Sequence, residues 1–291
     1  MGEFASLLAA GVAQGAIASL IALGIVLLHK TTGIVNFAQG DLLTLGAYLG
    51  VFLVVDHHVP WVPAYLLTLA VAFVVGMLIE RVGYAPLRRQ PIITVIISTF
   101  ALALGLRALL VVWRGQDAQS LPAPVGAGVW HVLGAAIPYQ NALIVGVTAV
   151  VCAVLVVVLH RSTVGRQVRA LAADRETALL QGIRVSRLSA LMFGLSAALA
   201  ALGGLLVAPT LSVSTELGFG LLLSSFAACV LGGFDRIGAT VAAAFTVSVA
   251  QQLAAGYVSP DYVEAYPFLI LLVALVIRPR GLFGEAIGVR Y

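Results

Sequence analysis

The segment "GIVNFAQGD", residues 33–41, places polar side chains between two long apolar runs. Asn36, Gln39 and Asp41 supply hydrogen-bond donors, acceptors and one negative charge, and the two glycines of the segment weaken a helix. Two interpretations are open. A broken segment of this kind lines a binding site in transporters built from discontinuous helices. Alternatively, Asn36 and Asp41 cap the start of the helix that follows, with Asp41 favoured near its positive end.

A second glycine-rich, polar stretch lies in the other half of the chain, "ELGFGLLLSSFAACVLGGFDRIGA", residues 216–239. Paired interruptions in the two halves of a membrane protein are the sequence pattern that best indicates a transport site. We therefore expect residues 33–41 and 217–234 to be irregular or interrupted and to face the protein interior or the pathway. The candidate substrate-pathway residues are Asn36, Gln39, Asp41, Ser224 and Ser225.

The composition explains why these polar residues need an account. Of the 291 residues 61% are hydrophobic and 10% are charged, with a mean hydropathy of +1.08, whereas soluble domains have about 25% charged residues. Apolar runs of about 20 residues are long enough to cross a bilayer as helices. We predict one domain over residues 1–291, an all-α polytopic membrane protein with about eight full spans plus interrupted or re-entrant segments. The predicted spans are 5–28, 40–55, 61–79, 92–112, 139–159, 188–208, 238–255 and 264–277, with a weaker ninth at 217–234.

The distribution of arginine predicts the orientation. The links 80–91 and 160–187 and the C-terminal tail are rich in arginine, whereas the links 56–60 and 256–263 contain no Lys or Arg. Basic loops are cytoplasmic by the positive-inside rule, so the N-terminus is expected outside and the C-terminus in the cytoplasm. The sequence pI of about 9.3 then reflects topology and gives no indication of nucleic-acid binding.

The link 160–187 also has helix signals. Asp174 can cap a helix that begins at Arg175, and Gly182 follows its last turn, so two short helices are expected at about 164–173 and 175–181. Their apolar content exceeds what a solvated loop needs and indicates a surface that docks another protein. The alternative is an amphipathic helix that rests on lipid headgroups.

Several other features predict no chemistry. Cys152 and Cys229 lie in apolar stretches and indicate neither a disulfide nor a metal site. The nearest match to a P-loop, "GIVLLHKT" at 24–31, lacks the second glycine and a preceding strand. No catalytic constellation or cofactor motif is present, so we predict that the protein is not an enzyme. Arg107, a lone cation in an apolar run, is expected to extend along the helix to the outer interface, and the loop 114–138 is expected to be turn-rich.

Five motifs occur together in one order: "GIVNFAQGDLLTLGAYLG", "ERVGYAPLRR", "GRQVRALAADRETALLQGI", "AACVLGGFDRIGA" and "RPRGLFG". In this combination the chain resembles the LivH-type permeases of branched-chain amino acid ABC importers from residue 5 to about 285. Related permeases of this class also serve urea, short amides and other small organic solutes. An ion-coupled carrier working alone is the alternative from another class, and it would require an ionisable pathway in the membrane.

The resemblance implies a set of partners in the bacterial cytoplasmic membrane. They are a second, LivM-type permease, two cytoplasmic ATPase subunits that hydrolyse the ATP, and an extracytoplasmic solute-binding protein. It also implies that residues 164–183 form the coupling segment seated on an ATPase. The candidate coupling residues are Gly165, Arg166, Arg169, Asp174, Arg175, Glu176, Leu179, Leu180 and Gly182.

Overall fold

The computed structural model describes residues 2–132, 135–234 and 236–277. Within them the chain forms eleven α-helices and one β-hairpin. The helices are α1 Gly2–Thr32, α2 Gln39–Val51, α3 Trp61–Ile79, α4 Ile92–Arg114, α5 Tyr139–Arg161, α6 Thr163–Ala173, α7 Arg175–Leu180, α8 Val185–Val207, α9 Leu217–Gly232, α10 Ile237–Tyr257 and α11 Tyr266–Ile277. Helices α2 and α3 each continue into a π-helical turn, Phe52–Asp56 and Glu80–Tyr84, and the hairpin pairs strands β1 Val129–Val132 and β2 Ala135–Pro138.

The prediction of an all-α polytopic membrane protein is confirmed. Seven of the described helices are long and apolar enough to cross a membrane. The predicted span at 264–277 corresponds to α11, whose 12 residues are fewer than the roughly 20 needed for a full crossing. The tail with Arg278, Arg280 and Arg290 lies outside the described residues.

Helix α1 is the centre of the bundle. Its side chains from Ala16 to Leu28 are almost completely buried, and it packs most extensively against α10 and α8. Glycine makes this packing possible: a Cβ added at Gly11 would lie 2.8 Å from the Cα of Val249, and one at Gly15 would lie 2.9 Å from the Cα of Phe245. Close backbone approach at small residues is how helices associate in lipid, where apolar attraction between them is weak.

Helix α8 is the second organising helix, and α2 and α3 pack against it. A Cβ at Gly46 of α2 would lie 2.5 Å from the carbonyl oxygen of Ala201, and one at Gly204 of α8 would lie 3.0 Å from the amide nitrogen of Ala47. The two helices are therefore in backbone contact on both sides of their interface. These backbone contacts fix the position of α2 along α8, and therefore how deep in the bundle α2 begins.

The two ends of the bundle differ in charge. We call one the basic end: it carries Lys30, α6, α7 and the arginines Arg88, Arg89 and Arg184. We call the other the Asp56 end, where Arg114 Nη1 donates to Asp56 Oδ2 at 2.5 Å. The predicted turn-rich loop 114–138 lies there and contains the β-hairpin.

Candidate functional site

The chain leaves the helical conformation after α1 and re-enters it deep inside the bundle. Gly33 adopts φ +75°, which favours glycine, and residues 33–38 are not helical. Phe37 N–H donates to Thr99 Oγ1 at 3.3 Å, and Thr99 lies fifteen residues, about 22 Å, before the end of α4 at Arg114. The irregularity predicted for 33–41 is confirmed for 33–38, and residues 39–41 are the first turn of α2.

Gln39, the first residue of α2, is fixed within the subunit. Its Nε2 donates to the carbonyl oxygen of Ser196 at 2.9 Å, and the Ser196 hydroxyl donates to its Oε1 at 2.9 Å. Ser196 is midway along α8, and both side chains are buried. Asn36, also buried, accepts a hydrogen bond from the Ala38 N–H at 3.1 Å. These contacts stabilise the start of α2.

Asp41, in the first turn of α2, is part of an ionic cluster. Arg107 of α4 donates through Nε to Asp41 Oδ1 at 2.9 Å and through Nη1 to both carboxylate oxygens of Glu216 at 3.0 and 2.9 Å. The Asp41 side chain is 5% exposed, the Arg107 side chain 23% and the Glu216 side chain 65%. Helices α2 and α4 and the start of α9, which are distant in sequence, thus meet at the Arg107 guanidinium.

The extension of Arg107 to the outer interface, expected from the sequence, is therefore wrong. Arg107 lies seven residues, about 10 Å, before Arg114 at the Asp56 end, and its guanidinium turns to two carboxylates. A cation at membrane depth costs several kcal/mol unless it is paired or reaches water. Asp41 supplies the buried partner that sequence reasoning did not assign to Arg107.

Helix α9 begins next to this cluster. Gly218 N–H donates to Thr44 Oγ1 at 3.0 Å, and a Cβ at Gly40 would lie 2.7 Å from the Gly218 carbonyl oxygen. The helix is continuous from Leu217 to Gly232, so the interruption predicted within 217–234 is wrong. The glycines near its ends serve close packing, and irregular backbone occurs before and after it, at 208–216 and at 233–234.

The two serines of α9 bond inside the subunit. Ser224 donates to Gln251 Oε1 at 3.0 Å, and Ser225 donates to the Leu221 carbonyl at 2.7 Å. Both are buried. The assignment of Asn36, Gln39, Ser224 and Ser225 to a substrate pathway stays a prediction, whereas the geometry brings Asp41 together with Arg107 and Glu216, two residues absent from that set.

The second candidate site is the segment between α5 and α8 at the basic end. The Ser162 hydroxyl caps α6 by accepting from the Gly165 N–H at 3.0 Å. The Arg169 guanidinium donates to the carbonyls of Leu159 and His160 at the end of α5. Val168 and Leu171 are buried among the neighbouring helices, so α6 is fixed to the bundle.

Helix α7 has the termini that the sequence predicts. Asp174 Oδ1 accepts from the N–H groups of Glu176 at 2.9 Å and Thr177 at 3.2 Å, and the Thr177 hydroxyl donates to Asp174 Oδ2 at 2.5 Å. The hydrogen bond from the Thr177 hydroxyl, followed by the two backbone bonds, lowers the pKa of Asp174 below its usual value. Gly182 follows with φ +80°, as a left-handed residue does after a helix end.

The exposed face of α7 is apolar at its centre and basic around it. Leu179 is 52% and Leu180 88% exposed. A cavity of about 710 Å³ adjoins α7; its lining includes Leu179, Ile183 and the arginines Arg88, Arg89, Arg175, Arg184 and Arg187. In residues 2–132, 135–234 and 236–277 no carboxylate forms an ion pair with these arginines. This surface has the apolar centre and charged rim of a protein-binding surface.

Comparison with known proteins assigns the chain to a family. Residues 7–275 match the family described as "Branched-chain amino acid transport system / permease component". The chain belongs to this family. It is 29% identical over 289 residues, 94% of each chain, to the high-affinity branched-chain amino acid transport system permease protein LivH of Salmonella typhimurium. It is also 29% identical to the permease protein BraD of Pseudomonas aeruginosa, again over 94% of each chain.

A more distant relative is a permease for another solute. The ribose import permease protein RbsC of Escherichia coli is 25% identical over 229 residues, 77% of this chain and 68% of RbsC. Family membership and the seven apolar helices establish this permease as a multi-pass protein of the bacterial inner membrane. The resemblance drawn from the five motifs is confirmed.

Proposed function

We propose that this permease is the transmembrane subunit of an ATP-binding-cassette importer for branched-chain amino acids. Its partners are a LivM-type permease, two cytoplasmic ATPase subunits and an extracytoplasmic solute-binding protein. The observation that carries the proposal is the surface of α7, where Leu179 and Leu180 project from a segment that is otherwise capped and fixed. The names of the relatives, permeases of branched-chain amino acid transport systems, support the substrate class.

The charge of the two ends supports the proposed orientation. The basic end carries Lys30 at the close of α1 and the arginines around α7, and basic surfaces of membrane proteins face the cytoplasm. Helix α1 starts at the opposite end, so the N-terminus is outside. In the proposed orientation α6 and α7 lie where a cytoplasmic ATPase can reach them.

The ATPase activity resides in the separate subunits. A P-loop holds phosphate in a glycine-rich turn whose backbone N–H groups are free. Residues 24–31, the nearest match in sequence, lie inside the continuous helix α1, and Gly24 packs against Gln39 and Ser196. The helical backbone and the close packing of this segment support an assignment of ATP hydrolysis to other chains.

A second permease is needed to complete the pathway. Glu216 is 65% exposed at a depth where a charged side chain is expensive unless it meets water or a partner. A single bundle leaves this face open. A related subunit packed opposite it would enclose an aqueous path and remove the carboxylate from lipid.

Co-purification of the ATPase with permease variants tests the proposal. We expect Leu180→Ala and Leu179→Ala each to weaken the complex by about 2 kcal/mol, or roughly thirtyfold in Kd, because buried apolar anchors dominate such interfaces. Gln181→Ala, at an exposed neighbour on the same segment, is the matched control and should retain the ATPase. Wild-type retention by both leucine variants, together with normal uptake, would show that α7 rests on lipid and that the docking assignment is wrong.

A further inference from the structure

The ionic cluster of Arg107, Asp41 and Glu216 has one fixed half and one open half. Asp41 is buried and holds Nε of the guanidinium, whereas Glu216 is exposed and holds Nη1. An exposed ion pair contributes little net stability, so the Arg107–Glu216 contact costs little to exchange. The buried Asp41 contact keeps the guanidinium in place while that exchange occurs.

The exposed half of the cluster needs water or polar groups around it. Charged side chains inside membrane proteins face the bundle interior or a water-filled cavity, because hydrocarbon cannot solvate them. The segment before Glu216 is connected to the Asp56 end: Val213 and Gln119 exchange two backbone hydrogen bonds at 2.9 and 2.8 Å. The backbone just before Glu216 is therefore tied to the loop at the Asp56 end, which is the outer end in the proposed orientation.

From this geometry we infer that Arg107 and Glu216 bind the head group of a zwitterionic α-amino acid. The α-carboxylate takes the place of the Glu216 carboxylate on Arg107, and the released Glu216 pairs with the α-ammonium. Every ion pair that is broken is replaced, and the net charge of the site does not change. An anion or a cation alone would add an unpaired charge, and a neutral solute such as urea offers no group of either sign. This inference rests on the proposed function.

An aromatic side chain beside the cluster supplies a surface for an apolar amino-acid side chain. The Arg107 Cζ lies 5.8 Å from the centroid of the Phe219 ring, and that residue is 44% exposed. A small apolar side chain bound on this ring gains about 25 cal/mol of binding free energy per Å² of apolar surface removed from water.

The test uses the thermal stability of the complete importer in detergent, without the solute-binding protein. L-Leucine at 10 mM should raise the apparent Tm, because a ligand that binds only the folded state stabilises it. Leucinamide, which lacks the carboxylate, and 4-methyl-2-oxopentanoate, which lacks the ammonium, should not. The Glu216→Gln and Arg107→Gln variants should lose the shift given by leucine, and Glu216→Gln, at an exposed side chain, tests the idea even if Arg107→Gln does not fold.

Arg114→Gln is the matched control, since it removes an arginine–carboxylate pair from the same helix at the Asp56 end. It should keep the leucine shift and the KM for leucine uptake by the importer with its solute-binding protein, whereas Glu216→Gln should raise that KM at least fivefold. A Glu216→Gln importer with wild-type KM and an undiminished leucine shift would overturn the inference while leaving the proposed function intact. An assembled wild-type importer that does not take up leucine would instead refute the proposed function.

Discussion

The close contact between α2 and α8 predicts how much the substitution Gly46→Ala lowers the stability of the fold. In Gly46→Ala the new Cβ would lie 2.4 Å from the Cα and 2.5 Å from the carbonyl oxygen of Ala201, whereas ordinary contact begins at 3.4 Å, so the two helices must separate by about 1 Å. Both groups belong to helical backbone and cannot rotate away. Overpacking of this kind costs about 1–3 kcal/mol, and we take the upper half of that range. Alanine returns up to about 1 kcal/mol in helix propensity, which leaves a net loss of about 1–2 kcal/mol.

The apparent Tm of the purified chain in detergent measures this loss. For proteins of this size 1 kcal/mol corresponds to about 2–4 °C, so we expect a decrease of roughly 2–8 °C. Gly105→Ala in α4 is the control, because nothing lies within 4 Å of a Cβ there, and it should leave the Tm unchanged or raise it. Equal decreases in the two variants would refute the argument that backbone contact, and not helix propensity, decides the cost.

Two further predictions concern Gln39 and Asp174. Gln39→Leu leaves the buried carbonyl and hydroxyl of Ser196 without their partner, at a cost of about 1–3 kcal/mol, so the yield of folded protein should decrease while uptake per folded molecule is maintained. A normal yield with lost uptake would instead favour Gln39 as part of the substrate pathway. The pKa of Asp174 is lowered in the folded state from its usual value of 3.8. The stabilisation of α7 by the ionised carboxylate is therefore fully present above that usual value and is lost as the pH falls through the lower, folded-state pKa. Hydrogen-exchange protection of residues 175–180 should therefore be constant from pH 8 to 5 and decrease only in stronger acid. In Asp174→Asn, which keeps a capping oxygen, the acid-induced decrease should disappear. A loss of protection between pH 8 and 5 in the wild type would contradict the assignment of Asp174 as the group that titrates.

The features that the sequence predicted correctly have local causes. Spans are visible because each needs about 20 apolar residues in a row. The ends of the two helices between α5 and α8 could be predicted because Asp174 and Gly182 act on the backbone within three residues of themselves. Residues 33–38 could be predicted as irregular because glycine weakens a helix and polar side chains between two apolar runs indicate a break.

The ionic cluster could not be predicted in this way. Asp41 is 66 residues from Arg107, and Glu216 is 109 residues from it, so no helical or strand spacing relates the three. A signal was present: Arg107 is a cation in an apolar helix and requires a partner. The sequence does not say which carboxylate the fold brings to it, since that depends on how α2, α4 and α9 pack. The continuous course of α9 was missed for a related reason, because glycine at a helix–helix contact and glycine at a break look the same in sequence.

The helix termini explain how two carboxylates and one arginine share a site at membrane depth. Asp41 lies in the first turn of α2, and Glu216 directly precedes α9. Each helix N-terminus carries roughly half of a positive elementary charge, and the Gly40–Gly218 contact brings the two termini together. One guanidinium and two helix termini then balance two carboxylates, so the cluster is close to neutral although its side chains sum to one negative charge. The balance depends on α2 and α9 both starting at this depth. The break at 33–38 and the shortness of α9 are therefore the structural conditions for the charge cluster.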